Sequence, residues 1–167
     1  MEICLVRHAV AVERGSPGFE DDATRPLTPQ GRARMLEAAT GLKRLFTPQG
    51  ILTSPLVRAA ETAEILRKGY RLGNPRVCDA LATGDHDGVL AAIEEAGASA
   101  IALVGHEPWM SELLAYLLTG DRAGMTAIFK KGAAALAGSA AEPAPGNCWL
   151  EWLIQPAALR RLGQSEG

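Results

Sequence analysis

Apolar residues fall in short unbroken runs along this chain, and the runs alternate with longer segments in which they recur every three or four positions. The first kind of pattern marks buried strands and the second amphipathic helices. Ile3 to Val6 is an unbroken run and predicts a strand over residues 2–7. Met35, Ala38, Ala39, Leu42, Leu45 and Phe46 form a stripe of helical period, predicting a helix over 29–46. Thr28-Pro29 ahead of it has the form of an N-cap followed by proline in the first turn. A short strand is predicted over 50–53, and Ser54-Pro55 repeats the cap-and-proline signal to open a helix over 55–67. A third strand over 75–78, a helix over 87–96, the apolar strand AIALVG over 100–105 and a helix over 108–118 follow.

Strands alternating with helices imply an α/β fold, a three-layer sandwich with a mainly parallel central sheet and helices on both faces. The last third breaks the alternation. Residues 128–131 and the run GAAALAG predict a strand and turn, and CWLEWLI over 148–154 alternates as a closing strand. With no helical crossover between them, they predict an antiparallel hairpin at the C-terminal edge of the sheet. Trp149 and Trp152, three positions apart, are expected on opposite faces of that strand. GSAAEPAPG over 138–146 reads as an exposed loop, and a short helix is expected after Pro156.

The 167 residues suit a single domain over 1–167, with 47% hydrophobic positions to fill its core. A formal net charge of -2 offers no electrostatic footprint for nucleic acid or an anionic membrane. No apolar run approaches the ~20 residues of a spanning helix, and the first one is too short for a signal peptide. Cys4, Cys78 and Cys148 lack CxxC spacing and read as reduced, buried thiols, so a cytoplasmic protein is expected.

Candidate chemistry collects where the strands end. In a parallel sheet, ligands sit beyond the carboxyl ends of the strands. The first strand ends in Arg7-His8, the second leads through Ser54-Pro55 to Arg58, the third leads to the GDHDG loop (84–88), and AIALVG ends in His106-Glu107. Two guanidiniums and two imidazoles around one point make an anion pocket, because arginine forks match phosphate oxygens in a bidentate way. A central histidine can act as nucleophile through one ring nitrogen while a backbone carbonyl holds the other. Those parts suit phosphoryl transfer to histidine and then to water.

LVRHA, TSPLVRAAETA and LVGHEP resemble, in order and spacing, three signatures of the histidine phosphatase superfamily, also called phosphoglycerate-mutase-like. The compact length and RPLTPQG (25–31) resemble its SixA-type phosphohistidine phosphatase branch, and the resemblance covers residues 2 to about 118. It implies that His8 is the phosphorylated nucleophile, that Arg7, Arg58 and His106 form the phosphate pocket, and that neither metal nor other cofactor is needed. The implied substrate is a phosphorylated protein carrying phosphohistidine, or a small phosphate ester. Arg25, Ser54, Asp85 and His86 are candidate substrate contacts, although Arg25 could instead pair with Asp21-Asp22. Larger members carry an acid for the leaving group in an insertion that has no counterpart here. Asp85 and His86 are the nearest candidates for that role, followed by Glu107 and the Glu20-Asp21-Asp22 cluster. Ala9 stands where glycine is more usual in the wider superfamily. Trp109 has two readings, pocket mouth or packing, and Lys130-Lys131 is either a solvated pair or a contact for an acidic partner. Two other functions compete: a zinc hydrolase built on His8, His86 and His106, and a phosphate-binding module without turnover.

Overall fold

The first strand, β1 (Glu2–Arg7), has Ile3, Cys4, Leu5 and Val6 all fully buried. A strand covered on both faces reads as a continuous apolar run rather than an alternation, and β4 (Ala100–Gly105) has the same character. The computed structural model describes residues 1–164 and lays these two strands side by side, parallel, near the middle of one six-stranded sheet. β2 (Gly50–Thr53) and the two-residue β3 (Arg76–Val77) continue the parallel part beyond β4. On the other side of β1, β5 (Ala134–Ser139) and β6 (Cys148–Ile154) form the antiparallel hairpin, giving the order β3-β2-β4-β1-β5-β6.

Successive residues of the central strands feed two cores. Cys4, Val6, Ala102 and Val104 pack with α1 (Pro29–Leu42), α2 (Val57–Tyr70) and α6 (Pro156–Gln164). Ile3, Leu5, Ile101 and Leu103 pack with α3 (Ala80–Thr83), α4 (His86–Ala96) and α5 (Trp109–Thr119). This is the expected three-layer α/β sandwich. Among the described residues no helix is long and apolar enough to cross a membrane, and Cys4, Cys78 and Cys148 are unpaired and buried.

The strand register is what builds the site. Arg7 lies opposite Gly105, so the residues that follow, His8 and His106, leave the sheet as neighbours. The Ser54 N–H donates to the Val104 carbonyl at 2.9 Å, which brings the end of β2 to the same edge.

Several local expectations are corrected. α1 stops at Leu42, and residues 43–45 form a turn after which Phe46 is still buried. α2 begins two residues after Pro55 and continues to Tyr70, closed by Arg71 in the left-handed region at φ 59°. α3 was not expected from the sequence, and β3 is shorter than the predicted strand. Residues 128–131 form no strand. Instead Phe129 buries its ring, and the Gly132 N–H donates to the Arg7 and His8 carbonyls at 3.1 Å each, so the segment crosses the end of β1 rather than joining the sheet. Trp149 and Trp152 share a face: Leu136 pairs with Trp152 but Ala137 with Leu150, and the bulge at Glu151 reverses the alternation.

Candidate active site

Where β1 runs out, the backbone of His8 is held by its N–H to the Gly105 carbonyl at 3.0 Å. The next N–H, of Ala9, donates to Thr62 Oγ1 at 3.1 Å, and the Thr62 hydroxyl donates to the Arg58 carbonyl at 2.7 Å. The loop after β1 is thereby tied to the first turns of α2. The His8 ring Nδ1 lies 2.7 Å from the Ala9 carbonyl and donates to it, which leaves Nε2 with its lone pair. Burial, together with the neighbouring His106 ring and the Arg58 and Arg7 charges, pushes the His8 pKa down to about 3 against the opposing pull of the Ala9 bond. The ring is neutral at physiological pH.

His106 faces His8 with ring centroids 5.3 Å apart and planes tilted by 55°. Its Nε2 is 2.6 Å from Ser54 Oγ. Burial and the Arg58 charge lower its pKa to about 4, with Asp22 pulling the other way. Arg7 donates through Nη1 to the Phe129 carbonyl at 2.5 Å. Arg58 donates through Nη1 to the Asp22 carbonyl at 2.7 Å and through Nη2 to Asp22 Oδ2 at 2.9 Å. Five buried side-chain nitrogens and oxygens lack a partner among the described residues, and three belong to this cluster: Arg7 Nε, Arg58 Nε and His106 Nδ1. Buried polar groups are nearly always paired, so a convergence of unpaired ones calls for a ligand, and nitrogen donors call for an anion. Outside them lies a cavity of about 270 Å³, lined among others by Arg14, Asp22, Arg58, His106, Glu107 and Trp109.

Residues 3–86 match the model of the histidine phosphatase superfamily (branch 1). The chain belongs to that superfamily. An uncharacterized protein of Picosynechococcus is 40% identical to this histidine phosphatase-superfamily chain over an alignment of 117 positions that covers 67% of this chain and 70% of that protein. The fold is similar to that of the protein histidine phosphatase SixA complexed with tungstate, with TM-score 0.76 and 24% identity over 95% of this chain and 99% of that one. It is also similar to that of a protein from Escherichia coli assigned as an alpha-ribazole-5'-P phosphatase, with TM-score 0.70 and 16% identity over 92% and 95% of the two chains. Membership of the superfamily assigns the chain to the phosphatases.

Around this cluster, each of the four residues expected at the substrate makes contacts within the protein. Ser54 is fully buried and meets His106 instead of solvent. Arg25 donates through Nε to Asp22 Oδ1 at 2.9 Å and through Nη1 to the Val12 carbonyl at 2.5 Å, so it braces the loop before α1. Asp85 caps α4 by accepting from the Gly88 N–H at 3.0 Å. His86 is buried beneath that cap, 3.6 Å from Glu112, with its ring centroid 5.8 Å from that of Tyr116 and the planes tilted by 40°. It is apart from the His8–His106 pair, and among the described residues no three His, Cys, Asp or Glu side chains group as a metal site requires.

Both readings of Trp109 hold, since it lines the cavity and its indole also packs on Gly84, where an added Cβ would come within 2.5 Å of the ring. Glu107 faces the cavity too, while accepting from Ser111 Oγ at 2.7 Å and from the Phe129 N–H at 3.3 Å.

Asp22 is the member that the sequence pattern gave no means of singling out. It sits on a single 3-10 turn (Asp22–Thr24) in an irregular acidic loop. Burial raises its carboxyl pKa, but bonds from Arg14 and Arg25 and the charge of Arg58 outweigh this and hold it well below the usual carboxylate range. So held, it is no proton donor.

Proposed function

We propose that this protein is a metal-independent phosphatase that removes the phosphoryl group from a phosphohistidine in another protein. The observation that carries the reading is the free Nε2 of a neutral His8, beside three buried nitrogens that lack partners. Nε2 attacks phosphorus, the P–N bond to the substrate imidazole breaks, and the phosphoryl group becomes bonded to His8. Water then attacks the same phosphorus, the P–Nε2 bond breaks with its electron pair returning to Nε2, and the proton given up by the water passes to a phosphate oxygen, leaving inorganic phosphate and a neutral His8. Arg7 and Arg58 supply the positive charge that the equatorial oxygens need, a role otherwise filled by a metal ion. His106 becomes a stronger base once a dianion sits beside it, and its protonated Nδ1 then donates to the group in transfer.

The choice of phosphohistidine rests on the leaving group. An imidazole whose second nitrogen already carries a proton departs neutral and needs no protein acid, whereas an alkoxide does. Asp22 is pinned as a carboxylate, and Asp85 and His86 are engaged elsewhere. Similarity of fold to the protein histidine phosphatase SixA supports the same substrate. The second reading, a phosphomonoesterase for small molecules, is favoured by Glu107, among the described residues the one cavity-lining carboxylate outside the arginine cluster. Buried unpaired thiols fit a reducing cytoplasm.

Rapid quench with a phosphohistidine protein tests the mechanism. An acid-labile, base-stable phosphoenzyme is expected, absent in His8→Ala and indifferent to chelators. No phosphoenzyme, or faster turnover of alkyl phosphate esters than of phosphohistidine, would overturn this reading.

A further inference from the structure

Arg58 carries a full charge into a site where its side chain is almost wholly buried. Such a cation needs a counter-charge with good geometry. A guanidinium offers its N–H groups along distinct edges of a rigid plane, so the edge that is gripped determines the edge that stays free. Here the two Nη atoms are both held by one residue, through the backbone carbonyl and the carboxylate of Asp22, while Nε is buried and unpartnered. Asp22 is itself held from behind. Its Oδ1 receives Arg14 Nε at 2.9 Å and Arg25 Nη2 at 2.8 Å, and Arg25 is anchored to the Val12 carbonyl.

We propose that Asp22 is a positioning residue, which grips the outer end of the Arg58 guanidinium so that its Nε edge is presented to the phosphoryl group. The inference rests on the phosphoryl site of the preceding section. Asp22 could instead be an occupant that substrate must expel, lodged where phosphate oxygens belong. Against that stands Nε, which is buried with no partner in the protein: its hydrogen-bonding capacity is unspent while both Nη atoms are engaged, so the carboxylate need not leave for Arg58 to take an anion. The backbone carbonyl of the same residue shares in the grip, so the loop rather than a mobile side chain sets the geometry. Asp22 also acts on His106. Around that ring Arg58 from α2, Arg7 from β1 and Arg25 from the loop disfavour protonation, and Asp22 alone among the named charges favours it.

The test measures binding of inorganic phosphate and of tungstate by calorimetry, so it does not depend on which substrate is turned over. Asp22→Asn is expected to weaken both by about tenfold, the range for losing a charge-assisted bond. In the same variant the His106 ring, followed by NMR, should titrate at lower pH than in the wild type. Asp22→Glu keeps the charge but displaces it, so it should weaken anion binding while leaving the His106 titration near that of the wild type. It also carries the test should Asp22→Asn fail to fold. Unchanged affinity in the folded variants would make the cluster a loop brace only, and tighter binding would make Asp22 a competitor of the phosphoryl group. Either result overturns the proposal. Failure of the wild type to bind either anion would instead remove the phosphoryl site itself.

Discussion

One buried hydroxyl decides how His106 is presented. Ser54 Oγ meets the ring at Nε2, and that contact leaves Nδ1 as the nitrogen available to a ligand. Removing the hydroxyl strands a buried nitrogen and frees the ring to turn, so Ser54→Ala should lower kcat/KM by roughly ten- to a hundredfold. Steady-state kinetics on a phosphohistidine substrate check this, with unchanged kcat/KM showing that the ring is oriented by packing alone. The sequence singles out Arg7, His8 and His106 because each sits where an apolar run stops, and charge at a strand end demands a reason; Arg58 joins them because it lies in the first turn of the helix that follows the second strand. It offers Ser54 only as a substrate contact and not as a partner of His106, since Ser-Pro before a helix has the same form whether the hydroxyl caps the helix or meets a histidine 52 residues away. Asp22 is hidden for a different reason. An irregular loop has no period, and nothing in DDATR tells which carboxylate three arginines will find.

At the scale of elements, α1 and α6 approach so closely that glycine is required between them. A Cβ on Gly41 would come within 1.9 Å of the Leu159 carbonyl oxygen, and one on Gly163 of α6 within 2.6 Å of the Glu37 carbonyl oxygen of α1. Backbone cannot yield as a flexible side chain can. Gly41→Ala should therefore destabilise the fold by about 1–3 kcal/mol in urea denaturation, although alanine is the better helix former. Gly69 in α2 has nothing within 4 Å of the same construction, and there alanine should stabilise by about 0.5–1 kcal/mol. If the two substitutions behaved alike, helix propensity rather than the contact would be in control. The apolar stripe identified α1 but not its end, because Leu45 and Phe46 continue the period after the backbone has turned at Lys43. A similar ambiguity misplaced a strand at 128–131. Phe129 is buried there, but its backbone serves Arg7 and Glu107 rather than a neighbouring strand.

For the whole molecule, gathering two imidazoles with guanidiniums at one edge of the sheet ties stability to pH. The folded values of about 3 for His8 and about 4 for His106 lie below the ordinary 6.5, so between these limits the unfolded chain binds more protons than the folded one. Stability rises with pH wherever that holds, and each such group contributes a slope of about 1.4 kcal/mol per pH unit. Stability should therefore fall as pH is lowered from about 6.5 towards 4. Below that the depressed Asp22 carboxyl acts in the same direction, since its contribution is lost as acid protonates it. Thermal unfolding from pH 7.5 to 4.5 should show the decline, and His106→Asn should flatten it because one of the two titrating groups is gone. A bound oxyanion reverses the sign for these groups, since negative charge beside an imidazole favours its protonated form. Sulfate remains a dianion across this range, so the rise in Tm that it produces should be larger at pH 5 than at pH 7.5. A sulfate effect that ignored pH would mean that the ion is held by the arginines alone, with His8 and His106 standing outside the anion's field.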